Sequence, residues 1–217
     1  SYATRWEKII GFASFQSLIK NENIDEKLWR DAFSLFSCDK DDDITDFLRN
    51  KALEHEKRDR CRTYLYYDEE LLEKEEQFRV VGFFSLGLKT LQVPAISSMS
   101  KTLKKRLGNL SDTENNLVTF LIGQLGRNSL YPREILNGHD MLQDCYDLIS
   151  NARNAVGGRI ILLECKPADK LCRYYEDEGY IDITENENGL KQYMRFIDWV
   201  YILPNPHSTP YTPVKKP

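Results

Sequence analysis

The stretch Leu171-Cys172-Arg173-Tyr174-Tyr175-Glu176-Asp177-Glu178-Gly179-Tyr180 decides how this chain folds. Leu171, Tyr174 and Tyr175 recur at helical spacing, and Gly179 stops the helix with an aromatic residue directly behind it. Immediately upstream, Arg159 to Cys165 holds the apolar run Ile160 to Leu163 and one acid, Glu164, near its end. That run is too short for a helix and reads as a buried strand. Pro167 stands where the helix should open, a place where its missing N–H costs nothing.

Working back from this unit, Ile135, Met141, Leu142, Cys145, Leu148, Ile149 and Ala152 predict a long helix from near Asn137, ended by Gly157 and Gly158. A polar loop, Arg127 to Arg133, separates it from an apolar strand over Asn115 to Leu125. Ser100 to Leu107 is a short basic amphipathic segment. Thr63 to Tyr67 and Arg79 to Leu88 read as two antiparallel strands, with the acidic stretch Asp68 to Glu76 as their hairpin loop. Two helices come before them. One runs from Asp25 with Trp29, Ala32, Phe33 and Phe36 on its apolar face; the other starts at Asp43, carries Ile44, Phe47, Leu48, Ala52 and Leu53, and reaches about Lys57. Glu7 to Ile19 fits either strand or helix and is read as a strand. Downstream, Tyr180 to Ile183 and Gln192 to Leu203 form a last strand pair, and the proline-rich tail from Pro204 a weakly ordered arm. The order predicts an α/β (α+β) domain with a mixed sheet over residues 1–203, followed by the tail.

The 217 residues carry 30 Lys and Arg against 34 Asp and Glu, a net charge of -4, so only a local basic patch could hold nucleic acid or anionic lipid. Apolar runs fall far short of the roughly 20 residues that span a bilayer, and no export signal is visible. The expectation is a cytoplasmic protein with no membrane contact. Five cysteines without a C-x-x-C pair read as reduced thiols. Asp39, Asp41 and Asp43 have the spacing of a calcium loop, but Ile44 stands where the turn glycine is needed and Asn50 where the bidentate glutamate belongs, so no metal is expected. Signatures of P-loop, dinucleotide and serine-hydrolase chemistry are absent.

The order of elements and the stretch Leu171 to Tyr180 resemble the Gcn5-related N-acetyltransferases, whose A-x-x-x-Y-x-x-x-G-F motif has Tyr175 in the tyrosine position and Tyr180 in place of phenylalanine. The likeness runs from Asp43 to Leu203. It implies a central, mostly antiparallel sheet flanked by helices, and acetyl-CoA as co-substrate. The family's acyl-CoA loop, Q/R-x-x-G-x-G/A, is matched by Arg133-Glu134-Ile135-Leu136-Asn137-Gly138, where Arg133 and Gly138 fit and Leu136 departs. Backbone N–H groups at a helix start would surround the pyrophosphate there, with Ile135, Asn137, Gly138 and His139 around it. The resemblance also implies that the strand before the loop splays from its neighbour and pairs with the pantetheine arm through Leu125, Gly126 and Arg127. Gly123 and Gly126 are compatible with a bulge there. A narrower similarity, in Phe36-Ser37-Cys38, Ile44 to Arg49, Arg62 to Leu65 and Val80 to Leu86, is to acetyltransferase toxins of type II toxin-antitoxin pairs. It implies an antitoxin as partner and puts aminoacyl-tRNA among the acceptors of an N-acetyltransferase acting on a primary amine, beside a small amine or a protein amine.

By that resemblance Tyr175 is the general acid toward the departing thiolate; Glu164, placed just before the motif helix, is the candidate base for the amine, directly or through water. The alternatives are plain. Glu164 could be a strand-end carboxylate paired with a lysine, Tyr175 a core aromatic, and His139 a solvent-facing first-turn residue rather than a phosphate donor. An inactive acyl-CoA- or protein-binding module on the same scaffold is the competing function.

Overall fold

The computed structural model describes residues 10–22, 24–92 and 99–197. Seven strands form one sheet, with β1 (Ile10–Ser14), β2 (Cys61–Asp68), β3 (Val80–Gln92), β4 (Asn116–Arg127), β5 (Ile160–Cys165), β6 (Ile181–Glu185) and β7 (Lys191–Phe196) in the order β1-β2-β3-β4-β5-β7-β6. All neighbours are antiparallel except β4 and β5. The mixed sheet and its mostly antiparallel pairing match the expectation from sequence. The tail from Pro204 and the end of the last expected strand lie outside the described residues.

One face of the sheet is covered by α7 (Gly138–Val156) and α8 (Asp169–Asp177). Their core takes Phe84, Phe120, Ile122, Ile161 and Leu163 from the strands and Met141, Leu142, Cys145 and Tyr175 from the helices. The opposite face carries α1 (Phe15–Lys20), α2 (Glu26–Leu35), α3 (Asp42–Asp46) and α4 (Ala52–Lys57) over Leu65, Val80 and Phe83, with α6 (Lys101–Gly108) over Leu91, Leu117, Ile160 and Leu162. Successive residues of β5 thus divide between the two faces, as the pleat requires.

Three local expectations need correction. Asp68 to Glu76 is no loop: Glu69–Glu75 forms helix α5, because the Asp68 side chain accepts from Leu71 N and so caps the first turn, Glu69 and Glu70 lie at its positive end, and Glu76 ends it at φ 55°. The first apolar run is half strand and half helix; Ser14 accepts from Ser17 N and starts α1. The helix from Asp43 contains a π-helical turn, Phe47–Lys51, between α3 and α4, and there Arg49 donates twice to the Phe36 carbonyl, at 3.0 and 2.6 Å. That bond ties the end of α2 to the turn. Pro167 precedes α8, whose N-cap is Ala168.

Candidate active site

The parallel pairing of β4 with β5 covers only Phe120 to Ile122 against Ile161 to Leu163. Both strands continue, β4 to Arg127 and β5 to Cys165, so they diverge from an apex at Ile122 and Leu163 into an open V. Opposite β3, the register slips between the pairs Ser85–Gln124 and Leu86–Ile122. Gly123 is the extra residue, a bulge at the first position past the apex. Gly126 is needed for a different reason. A Cβ on it would lie 2.4 Å from Ile44 Cγ2, so the glycine lets α3 close over the strand.

The loop from Asn128 to Asn137 leaves the end of β4 at the mouth of the V, where Asn128 N donates to the Val81 carbonyl at 2.8 Å and the Tyr131 hydroxyl to Asp68 at 2.9 Å. Arg127 reaches back under it, donating to the Leu136 carbonyl at 2.9 Å and to the Pro132 carbonyl at 3.3 Å. Ile135 packs on the core and Leu136 is buried within it. Asn137 caps α7 by accepting from Asp140 N at 2.9 Å. Gly138 opens the helix, with the Tyr174 hydroxyl 3.1 Å from the place a Cβ would take; that hydroxyl is closed off from solvent and unpartnered. His139 turns instead to Glu178 at 2.9 Å, which raises its pKa, and is largely exposed.

Four cations converge at this mouth. Lys40 is held below its ordinary pKa by burial and by Arg133, Arg127 and Lys170, and Arg127 is lowered by burial and by Arg133. Such crowding means that an anion placed among them would relieve repulsion. Arg127 and Arg133 belong to the expected set. Lys40, in the turn after α2, and Lys170, in α8, have no sequence signal that separates them from other surface lysines.

On the side of α7 and α8, Tyr175 is 5% exposed, its ring among Tyr174, Tyr180 and Tyr193 at centroid distances of 5.3, 5.9 and 6.0 Å. Burial, then the neighbouring Cys165, raises its pKa. The phenol therefore stays neutral and a donor at physiological pH. Its hydroxyl has no hydrogen-bond partner among the described residues, and it is not among the fully enclosed unpartnered atoms.

Glu164 is the first residue past the apex on β5 and shares the opposite face with Ile160 and Leu162. Its carboxylate accepts from Lys89 Nζ at 2.7 and 2.8 Å, from Gln192 Nε2 at 2.6 Å and from Asn186 Nδ2 at 3.1 Å. Burial pushes its pKa up, but these bonds outweigh burial and hold it below the usual range. The lysine-paired reading of this acid is the one the geometry matches, and an incoming amine would have to compete with Lys89. Because the folded pKa lies below the unfolded one, the network stabilises the fold above about pH 4.3 and is lost as pH falls through the folded value. Urea midpoints measured across acid pH should fall more steeply for wild type than for Glu164→Gln.

Asp41 and Asp43, part of the apparent calcium loop, instead bind Lys166 Nζ at 2.6 and 2.8 Å. Among the described residues no group of three or more acidic, His or Cys side chains could hold a metal ion, all five cysteines are free, and no helix is long and apolar enough to cross a membrane.

No protein-family model matches the chain, and no curated protein does either. Solved structures do. AtaT complexed with acetyl-methionyl-tRNAfMet is 15% identical, with 89% of this chain and 96% of that chain covered at a TM-score of 0.61. A tyrosine-to-phenylalanine mutant of KacT is 14% identical over 86% of this chain and 95% of its own, at 0.63. An AtaT mutant toxin bound to the C-terminus of the antitoxin AtaR and acetyl-CoA is 14% identical over 86% and 92%, at 0.57. The chain thus has the Gcn5-related N-acetyltransferase fold, in the form that AtaT and KacT take.

Proposed function

We propose that this protein is an N-acetyltransferase that passes an acetyl group from acetyl-CoA to a primary amine by direct attack. The V between β4 and β5 carries the reading, because it leaves backbone N–H and C=O groups of β4 unpaired beside a bulge, with a helix start and cations at its mouth. Leu125, Gly126 and Arg127 would line the pantetheine arm. Arg133, Gly138 and the first N–H groups of α7 would hold the diphosphate, while Arg127 and Ile135 keep the loop in place. Tyr175 would donate to the departing sulfur, and free N–H groups at the bulge would stabilise the oxyanion. His139, turned to Glu178, has a minor part. Glu164 accepts the amine's proton only where its bond to Lys89 gives way.

Among acceptors, the α-amine of an aminoacyl-tRNA is favoured by the acetyl-methionyl-tRNAfMet complexed with AtaT. An antitoxin partner follows from the same comparison, since AtaT is solved with AtaR. The cytoplasm is the compartment that fits both.

Calorimetric titration with acetyl-CoA and CoA tests the reading. Wild type should bind in the micromolar range, about 8 kcal/mol. Gly138→Trp, which brings a large side chain against Tyr174 at the helix start, should bind at least about tenfold more weakly, a loss of about 1.4 kcal/mol. Binding by wild type justifies a screen of aminoacyl-tRNAs, small amines and protein amines; no heat at millimolar ligand overturns the enzyme assignment.

A further inference from the structure

The phosphates of an acyl-CoA belong at the cationic mouth of the V, so its reactive end must lie at the closed end, where β4 and β5 meet. The first residues past that apex are Gly123 and Glu164. An amine already stands there. Lys89, on β3, sends its ammonium across β4 to hold both oxygens of Glu164, at 2.7 and 2.8 Å, on the face opposite Tyr175. Its side chain is 38% exposed, against 13% for Glu164, so it can leave the carboxylate without unfolding anything around it.

A lysine at this place is unusual for its surroundings. Its β3 neighbour Leu91 is buried beneath α6, and Thr119, opposite Lys89 on β4, is buried and donates to the Lys89 carbonyl at 2.8 Å. The backbone is thus fixed and only the four-carbon stem is free. The result is a tethered primary amine and a proton acceptor on one side of the apex, with a neutral phenol on the other.

We propose that Lys89 is a site of self-acetylation. The inference rests on the acetyltransferase reading above. Lys89 gives one ammonium proton to Glu164 or to water and attacks the thioester carbonyl carbon. The C–N bond forms and the C–S bond breaks. The sulfur leaves as CoA thiol with the proton supplied by Tyr175, and the second nitrogen proton passes through Glu164 to solvent and back to the phenol. One Lys89 ammonium and one acetyl-CoA thus become acetyl-lysine, CoA thiol and a released proton, with no oxidant or metal. The product has lost its charge, so Glu164 is released to receive an external ammonium.

Purified full-length chain is incubated with acetyl-CoA and followed by intact mass and peptide mapping, while calorimetry on the same sample reports acetyl-CoA binding. Lys89 should be acetylated at least about tenfold faster than exposed lysines such as Lys20 and Lys51, because its amine is held beside the thioester. Tyr175→Phe should remove that advantage and leave the exposed lysines unchanged. Lys89→Arg should lose the fast label altogether. Binding of acetyl-CoA with Lys89 no faster than exposed lysines overturns the proposal and leaves the enzyme reading standing; absence of binding overturns the enzyme reading and the proposal together.

Discussion

Tyr175→Phe should lower turnover by about 10² to 10⁴-fold, the range for loss of a positioned general acid, while the affinity for acetyl-CoA and the melting temperature stay near wild type. The substitution removes only the hydroxyl. The ring keeps its neighbours Tyr174, Tyr180 and Tyr193, and no described residue depends on that hydroxyl for a hydrogen bond. Stability should therefore hardly move, because no partner is left unsatisfied. The readout is release of CoA thiol with whichever amine the screen finds. Burial keeps the phenol protonated beyond its ordinary pKa near 10, so the wild-type profile should show no loss of the acid form below that pH. Unchanged turnover in a folded variant would sink the acid role and return Tyr175 to the core.

The placement of Tyr175 was legible because everything that sets it is local: helical spacing, and a glycine that ends α8 at φ 84°. The splay of β4 from β5 was anticipated only through the resemblance. Glycine's rarity inside strands makes Gly123 and Gly126 equally compatible with a bulge, and only the register slip opposite β3 selects Gly123. Other parts could not be read this way. Lys89 and Glu164 are 75 positions apart, and only the sheet order, which puts β3 and β5 on either side of β4, brings them together. Helix α5 is hidden for a different reason, since its run of acids reads as a solvated loop while Asp68 in front of them carries a capping signal. The cationic mouth draws on a turn, a strand end, a loop and a helix, and none of these segments is basic enough alone to announce it.

Leu136→Gly, which would make the loop agree better with the family's acyl-CoA pattern, should instead destabilise the protein by about 3 to 5 kcal/mol, the range for truncating a buried leucine with a further loss from glycine's backbone entropy. Leu136 is 6% exposed and belongs to the core under α7. Its Cδ2 lies 2.6 Å from where a Cβ on Gly82 would sit, so Gly82 on β3 makes the space that Leu136 fills. Leu136 is not among the described residues with positive φ, so a glycine gains no strain relief there. Its carbonyl is also the acceptor that Arg127 uses to brace the loop. Loss of the anchor should therefore loosen the loop that presents Gly138, and weaken acetyl-CoA binding along with the fold. Urea unfolding and calorimetry on Leu136→Gly, with Leu136→Met as the volume-conserving control, separate the two possibilities. A glycine variant as stable as wild type that binds acetyl-CoA more tightly would mean that Leu136 is a lost phosphate-loop glycine after all. Destabilisation and weaker binding together, with the methionine variant near wild type, would mean that this chain holds its loop by a buried side chain where its resemblance leads one to expect a bare backbone.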